Sequence, residues 1–209
     1  MIEAVSIRDW FDCFNYCSLK ITCKFVMNKN ANCRYFSSLS MDEEIYDGSY
    51  WYKNKVYPKL AKNYSITYLQ EKKFIKVYDV LYSYITIQSD LDNIKNKCNI
   101  NSILCAGGGL VGSDVLDLVA CANCYSVLTP TEKNKPVLIE EVYWYMTPDH
   151  SFGFSPNATI DQNSADIFDT TNPFRLSWHL NISFGGYRLG QLTGLNNDNN
   201  YKKYIFIKV

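Results

Sequence analysis

The sequence contains no uninterrupted apolar run of the roughly 20 residues that a transmembrane helix needs, so no membrane insertion is expected. It also lacks an excess of either charge, because 21 basic residues stand against 21 acidic ones. That balance argues against nucleic acid or an anionic membrane as a global partner, although charge can still be clustered locally. The first nine residues lack the apolar segment of a secretory signal.

Histidine is scarce, and the two copies, His150 and His179, lie in no recognisable nucleophile motif. Each is expected to be structural. No nucleophile, base and orienting group can be assembled from sequence motifs, so we predict that the protein is not an enzyme. For the same reason we assign no catalytic residue, no cofactor and no metal ligand.

Cysteine, in contrast, is plentiful, and four of the eight copies are Cys13, Cys17, Cys23 and Cys33. On a helix the first two would stand one turn apart on the same face. A hairpin packed on that face would let the other two bond back to the helix, and each disulfide would contribute about 2–4 kcal/mol to a unit with little apolar core. This chemistry predicts an oxidising, extracellular or cell-surface location. The missing signal conflicts with it. Either the chain is part of a longer secreted precursor or an incomplete gene model, or the thiols are reduced and the protein is cytosolic.

The cysteine spacing over residues 5–38 resembles the central half of the PAN/apple module. That resemblance implies the pairs Cys13–Cys33 and Cys17–Cys23, with Arg34, Tyr35 and Phe36 in the outgoing strand. It also implies adhesion by binding protein or carbohydrate. The chain departs from the full module because no cysteine precedes Cys13 to form the usual outer pair. The alternative is a disulfide-tied extension without a function of its own.

The other four cysteines are Cys98, Cys105, Cys121 and Cys124. We expect two disulfides, one of them joining the 98–105 segment to the 121–124 segment, and the sequence leaves the pairing open. A four-thiolate zinc site is an alternative with loose spacing. A redox pair in Cys-x-x-Cys is another, but that motif follows an apolar run rather than opening a helix.

The pattern along the chain predicts a mainly β protein with a minor helical part. Residues 1–40 form the helix and hairpin, with strands near 23–27 and 33–37, residues 41–63 form an irregular linker, and residues 64–209 form an antiparallel β-sandwich or jelly-roll-like domain. Strands are expected throughout 64–88 and in the short aromatic or β-branched runs 137–146, 174–180, 187–192 and 201–207. Ser89–Asp92 should cap a short helix that ends near Cys98.

Three segments of the second half, 151–157, 175–180 and 185–190, are similar to an uncharacterised C-terminal module of extracellular invertebrate proteins. This resemblance implies an extracellular β module and carries no assigned activity.

Residues 107–112 match the G-x-G-x-x-G pattern of a nucleotide-binding loop. A nucleotide-binding enzyme is therefore an alternative function, but no acidic residue ends the next strand and no βαβ series follows. A glycine-rich loop is the preferred interpretation.

Two further clusters have ordinary explanations. Asp161, Asp166 and Asp169 could supply oxygen ligands to calcium, yet their spacing is not that of an EF-hand loop and aspartate is a common turn residue. Seven lysines between residues 53 and 76 face a single acid, Glu71, among tyrosines. Such a pattern can bind single-stranded nucleic acid, but a solvated strand edge is preferred and nucleic acid is not expected.

The preferred function is non-catalytic binding of carbohydrate or glycoprotein by an extracellular module. A sugar site needs an aromatic platform beside polar groups. Neighbours on a strand face opposite ways, so either Trp144 or Tyr145 should face solvent. The candidate ligand-binding residues are Trp144, Tyr145, Asp166, Asp169, Tyr187 and Arg188. The competing function is a structural surface or matrix protein without a small ligand; the sequence does not indicate the oligomeric state.

Overall fold

The computed structural model describes residues 57–180 and 183–209, together with the backbone of three short strands nearer the N-terminus. The chain divides into two units, residues 1–54 and 55–209. In the first unit, β1 (Ala4–Val5), β2 (Lys24–Met27) and β3 (Cys33–Phe36) form an antiparallel sheet with β3 in the centre. Strands β2 and β3 pair where the sequence analysis predicts a hairpin. The helix and the two disulfides predicted there lie outside the described residues.

The second unit is mainly β and contains two antiparallel sheets. The five-stranded sheet has the order β4–β7–β6–β14–β5, so the last strand of the chain lies between two earlier ones. Its strands are β4 (Leu60–Ser65), β5 (Ile75–Leu81), β6 (Ile103–Leu110), β7 (Val115–Asn123) and β14 (Tyr201–Lys208). Strand β4 begins inside residues 41–63, so the predicted linker extends too far.

The six-stranded sheet is a meander in which each strand pairs with the next one along the chain. Its strands are β8 (Val137–Ile139), β9 (Val142–Thr147), β10 (Ser151–Ser155), β11 (Leu176–His179), β12 (Gly186–Leu189) and β13 (Leu192–Thr193). A short 3-10 helix, Leu195–Asn197, leads from β13 towards β14.

Three α-helices complete the described part of this unit: α1 (Ile66–Glu71), α2 (Gln88–Lys95) and α3 (Cys124–Val127). Helix α1 lies in a segment where strands were predicted. It forms because the Ser65 hydroxyl accepts the Tyr68 N–H at 3.1 Å, which caps the first turn and outweighs the β propensity of the segment. Helix α2 confirms the short helix predicted in this segment, but it begins at Gln88, before the predicted cap Ser89–Asp92. The Asp90 carboxylate accepts the Ile87 N–H at 3.1 Å.

The two sheets pack face to face over an apolar core, because alternate side chains on their strands point inwards. Four large aromatic residues belong to this core, and each is at most 1% exposed: Trp144, Phe152, Phe154 and Trp178.

Tyr82 crosses the core and links the two sheets. Its hydroxyl donates to the Arg188 carbonyl at 3.1 Å and accepts the Trp178 indole N–H at 3.3 Å. The ring needs space from both sheets, and glycine supplies it. A Cβ on Gly186 would lie 2.0 Å from the ring, and one on Gly108 would lie 3.0 Å from the hydroxyl.

Gly107, Gly108 and Gly109 therefore have a packing role and do not form a phosphate-binding loop. All three lie within strand β6, where a Cβ on the first or third would meet a carbonyl of β7 at 2.6 Å. Both the loop interpretation and the nucleotide alternative are thus wrong for these glycines. The sequence pattern arises from the close approach of neighbouring strands and of Tyr82.

Both disulfides of the described region tie the 98–105 segment to the 121–124 segment. Cys105 and Cys121 are bonded and stand directly opposite each other on β6 and β7, while Cys98 is bonded to Cys124 at the start of α3. Cys121 and Cys124 are not joined to each other, so the redox and zinc alternatives do not hold in this state. The second disulfide anchors the end of helix α2 beside the sheet.

We expect the contact between Gly186 and Tyr82 to show strong coupling in a double-mutant cycle. Gly186→Ala should lower the free energy of unfolding by about 1–3 kcal/mol through overpacking, and Tyr82→Ala by about 3–5 kcal/mol through loss of the ring. In the double variant the new methyl group enters the space left by the ring, so the combined loss should be smaller than the sum. Urea unfolding measures all three, and additive losses would contradict the packing described.

Candidate functional site

The outer face of the six-stranded sheet is polar, yet it is buried. Tyr145, Ser151, Ser177 and Arg188 point away from the apolar core and are fully buried. The long connection between β10 and β11, residues 156–175, covers them. We call this connection the covering loop (residues 156–175). Buried polar groups need hydrogen-bond partners, and the covering loop supplies them for this face.

Arg175, at the end of the covering loop, fixes its first part. Its guanidinium donates to Asp166 Oδ1 at 2.8 Å, to Asn157 Oδ1 at 2.7 Å and to the Thr159 carbonyl at 2.9 Å. One side chain therefore joins three points of the loop. Arg175 itself is only 1% exposed.

Arg188, on strand β12, fixes the second part of the covering loop. Its guanidinium donates to the carbonyls of Ile167 at 3.1 Å, Asn172 at 3.0 Å and Asp169, while its Nε donates to the Gly190 carbonyl at 2.7 Å. A planar guanidinium with five N–H donors suits this convergence of carbonyl oxygens.

Asp166 provides the negative charge between the two arginines. Its Oδ1 accepts from Arg175, and its Oδ2 lies 3.8 Å from Arg188 Nη1. Burial raises the pKa of this carboxyl to about 6, although both guanidinium groups act in the opposite direction. In its ionised form the carboxylate balances one of the two buried positive charges.

Gln162 attaches the middle of the loop to the sheet. Its amide Nε2 donates to Thr147 Oγ1 at 2.8 Å and to Ser151 Oγ at 2.9 Å. Its Oε1 accepts the Asn134 N–H at 2.6 Å, and its own N–H donates to Asn134 Oδ1 at 2.8 Å. These bonds hold the backbone of the loop in one conformation.

The loop presents an aromatic ring to solvent. Phe168 is 79% exposed, and the carbonyls of its two neighbours, Ile167 and Asp169, are the ones bound by Arg188. The ring is therefore displayed from a fixed backbone. Exposed apolar side chains on rigid loops are typical of recognition surfaces.

A second aromatic group lies at strands β11 and β12. The His179 ring contacts Phe184 and Tyr187, with ring centroids 5.5 and 5.7 Å apart. Phe184 is 47% exposed, whereas the other two are mostly buried. Burial lowers the pKa of His179 to about 4, and the charge of Lys203 adds to the effect. His179 is therefore neutral at physiological pH, consistent with a structural histidine.

The structure corrects the predicted ligand platform. Neither Trp144 nor Tyr145 faces solvent: the first packs against Phe154 in the core at a centroid distance of 5.1 Å, and the second donates to the Leu176 carbonyl at 3.0 Å beneath the covering loop. The alternation of the strand was inferred correctly. The error arose because both faces of this sheet are covered.

Four other candidate residues, Asp166, Asp169, Tyr187 and Arg188, do come together at the covering loop. Asp166 and Arg188 are fully buried, so they contact no solvent, and their hydrogen bonds hold the loop. Tyr187 is 8% exposed. Asp169 accepts the N–H and the hydroxyl of Thr171 at 2.8 and 2.6 Å, which lowers its pKa.

The three candidate calcium ligands are used in other ways. Asp161 accepts the Asn163 N–H at 3.0 Å, Asp169 binds Thr171 and Asp166 binds Arg175. Within residues 57–180 and 183–209, no group of three or more acidic, histidine or cysteine side chains is placed to hold a metal ion. The calcium interpretation is therefore not supported by this geometry.

Sequence reasoning missed the role of a buried lysine, Lys203, which is 0% exposed. Its ammonium donates to the Tyr84 carbonyl at 2.5 Å and to Thr86 Oγ1 at 2.7 Å, and it lies 5.9 Å from the centre of the Trp178 ring. Burial lowers its pKa to about 7. The adjacent pair Lys202–Lys203 was the available signal, because successive residues of a strand point to opposite faces.

Comparison with known proteins gives no match to a protein-family model, a curated protein or a solved structure. In the part of the chain that the structure describes, no helix combines the length and the apolar character required to cross a membrane.

Replacing Asp166 with Asn should destabilise the protein by about 3–5 kcal/mol, because two guanidinium groups would remain buried without a counter-charge. The matched control is Asp161→Asn on the same loop, where the change should stay within about 1 kcal/mol. Urea unfolding gives the free energies, and limited proteolysis reports whether the covering loop opens. Equal stability of the two variants would contradict the assigned role.

Because Lys203 is buried, we expect the free energy of unfolding to depend on pH. Its pKa is about 7 in the folded state and higher in the unfolded chain, so between pH 7 and 9 the unfolded state binds more protons and stability rises with pH. The slope from this group is at most about 1.4 kcal/mol per pH unit. Lys203→Met should remove that component of the slope. Urea unfolding at pH 7, 8 and 9 measures it, and an unchanged slope in the variant would disprove the prediction.

Proposed function

We propose that this protein is an extracellular binding module that recognises carbohydrate or glycoprotein without catalysing a reaction. The observation that carries the proposal is the display of Phe168 on the covering loop. Two buried arginines, one buried aspartate and Gln162 hold that loop, while the ring at its surface is 79% exposed. A ring presented in this way loses little conformational freedom when it binds a ligand.

The surroundings of Phe168 suit a sugar. Sugars offer C–H faces to aromatic rings and hydroxyl groups to polar side chains. The loop residues that follow the ring are Asp169, Thr170, Thr171 and Asn172, which carry carboxylate, hydroxyl and amide groups. Phe168 thus replaces Trp144 and Tyr145 as the proposed aromatic contact.

The extracellular location rests on the disulfides. Cys98–Cys124 and Cys105–Cys121 are both formed, and such bonds persist in oxidising compartments. The PAN/apple-like cysteine spacing of residues 5–38 points to the same class of function, since that module serves adhesion. Its helix and its cysteine side chains lie outside the described residues, so the resemblance contributes as a sequence argument.

The second candidate is a structural surface or matrix protein that assembles with itself. It is favoured by strand β8, which forms one edge of the six-stranded sheet and exposes Val137 and Leu138 by 50% and 56%. An exposed apolar edge strand is a template for pairing with another chain. Self-association that grows with concentration, in the absence of any glycan binding, would identify this alternative.

The binding proposal is tested with a glycan array and a pull-down of glycoproteins, using the folded chain. Phe168→Ala should weaken binding at least about tenfold, because an exposed aromatic contact at the centre of an interface contributes strongly. Ile100→Ala is the matched control: its side chain is 77% exposed on a different segment, and its loss should leave binding unchanged.

Two outcomes would overturn the proposal. A blank array together with a blank pull-down would show that the wild-type chain binds no glycan or glycoprotein. Equal binding by Phe168→Ala and the wild-type chain would show that the covering loop is not the recognition surface. Unfolding in urea verifies that both variants are folded, as expected for exposed side chains.

A further inference from the structure

The outer face of the five-stranded sheet carries a surface that the proposed function does not use. Strands β5 and β14 pair at this end of the sheet, and helix α1 packs over the same face. Lys202, Tyr204, Phe206 and Lys208 alternate along β14, so they share one side of the strand. We call the set Lys72, Lys76, Lys202 and Lys208, with the rings beneath it, the lysine face.

Aromatic rings support three of these four lysines. The ammonium of Lys72 lies 5.0 Å from the centre of the Tyr68 ring, that of Lys76 5.5 Å from Tyr204, and that of Lys208 6.0 Å from Phe74. Such contacts are favourable and hold the long side chains against the sheet.

Asp79 fixes two of the lysines. Its Oδ2 binds Lys76 at 2.5 Å and its Oδ1 binds Lys202 at 2.7 Å. Burial would raise the pKa of Asp79, but the two ammonium groups lower it overall, and Asp79 in turn raises the pKa of Lys202. From Lys202 to Lys208 the strand spans roughly 20 Å at about 3.3 Å per residue. The positive groups therefore form a row of defined length.

The row has a surplus of positive charge in a chain whose total charge is zero. Exposed Lys73 follows Lys72 in the sequence, while Glu71 and Asp79 are the acids of residues 66–81 and 201–208. Because the surplus is local, an extended anion would contact several ammonium groups at once and release the ions condensed around it.

The chemistry of the rings distinguishes between polyanions. Single-stranded nucleic acid binds to basic grooves by stacking its bases on exposed aromatic faces. Of the three rings that contact the lysines, Phe74 is 2% exposed and Tyr204 is 4% exposed, so these two lie beneath the lysines, while Tyr68 is 41% exposed. A polysaccharide whose sulfate or carboxylate groups repeat along its length needs the ammonium row and no stacking platform.

We propose that the lysine face binds a strongly anionic, sulfated polysaccharide. This goes beyond the glycan or glycoprotein recognition proposed for the covering loop, because it uses the opposite sheet and a different interaction. The disulfides agree with a location where acidic polysaccharides are available.

The test uses the full chain and heparin, a sulfated polysaccharide, with affinity measured by calorimetry at several salt concentrations. The variant Lys72→Ala/Lys76→Ala/Lys208→Ala should bind at least about tenfold more weakly, since each lysine near an anionic surface contributes about a factor of five. Its affinity should also fall less steeply with salt.

The matched control is Lys95→Ala/Lys133→Ala/Lys135→Ala, which changes the net charge equally on other surfaces. Lys95 lies 4.5 Å from the centre of the Tyr125 ring, so it reproduces the kind of contact that Lys72 makes. This control should keep its affinity for heparin within about twofold, because a specific row and not total charge is responsible.

Asp79→Asn is a further variant that removes an acid and releases two lysines, and heparin should bind it more tightly. It keeps the proposal testable if the triple variant does not fold. Phe168→Ala should bind heparin normally, which separates this proposal from the function of the covering loop.

The proposal is overturned if the wild-type chain does not bind heparin, if the control loses as much affinity as the lysine-face variant, or if Asp79→Asn binds no more tightly. A single-stranded oligonucleotide that binds the lysine face more tightly than heparin would assign the surface to nucleic acid instead.

Discussion

The polar outer face of the six-stranded sheet depends on an arrangement of three charges, in which Arg175 and Arg188 share the carboxylate of Asp166. Without the covering loop, these side chains would lose their hydrogen-bond partners. Without these side chains, the buried carbonyls of the loop would have no hydrogen-bond donor. Each side therefore requires the other. The cost of burying charge on this face is offset by the fixed conformation that it imposes on a long connection.

The two sheets meet in one apolar core but treat their outer faces differently. The five-stranded sheet covers part of its outer face with apolar groups: helix α1, Phe74 and the Cys105–Cys121 disulfide pack together there. The six-stranded sheet uses hydrogen bonds and charge. An apolar cover tolerates small shifts between packed groups, whereas a network of directional bonds fixes the positions of its atoms. The recognition surface that we propose lies on the covering loop, which is held by the hydrogen-bond network of the six-stranded sheet.

Alternation along strands was the part of the fold that could be predicted from the sequence. Residues 175–180 alternate clearly, and the structure places Leu176 and Trp178 in the core as this pattern indicates. The same pattern could not show that the opposite face, with Ser177 and Arg188, is buried as well. That burial comes from the covering loop. The turns of this loop consist of polar residues without a repeating hydrophobic pattern, so its position is set by tertiary contacts that the sequence pattern does not reveal. Likewise, the Cys98–Cys124 and Cys105–Cys121 pairing follows from the register of β6 against β7, which four cysteines in a sequence do not specify.

The place of β14 in the five-stranded sheet has a consequence for biosynthesis. This strand pairs with β6 on one side and with β5 on the other. Both partners come much earlier in the chain, because β6 ends at Leu110, β5 ends at Leu81 and β14 begins only at Tyr201. Until β14 leaves the ribosome, β6 has open backbone donors and acceptors along one edge, and β5 has no partner in this sheet. Chains held at that stage would be prone to join one another through these edges, so a nascent molecule gains from rapid completion or from a chaperone that shields them.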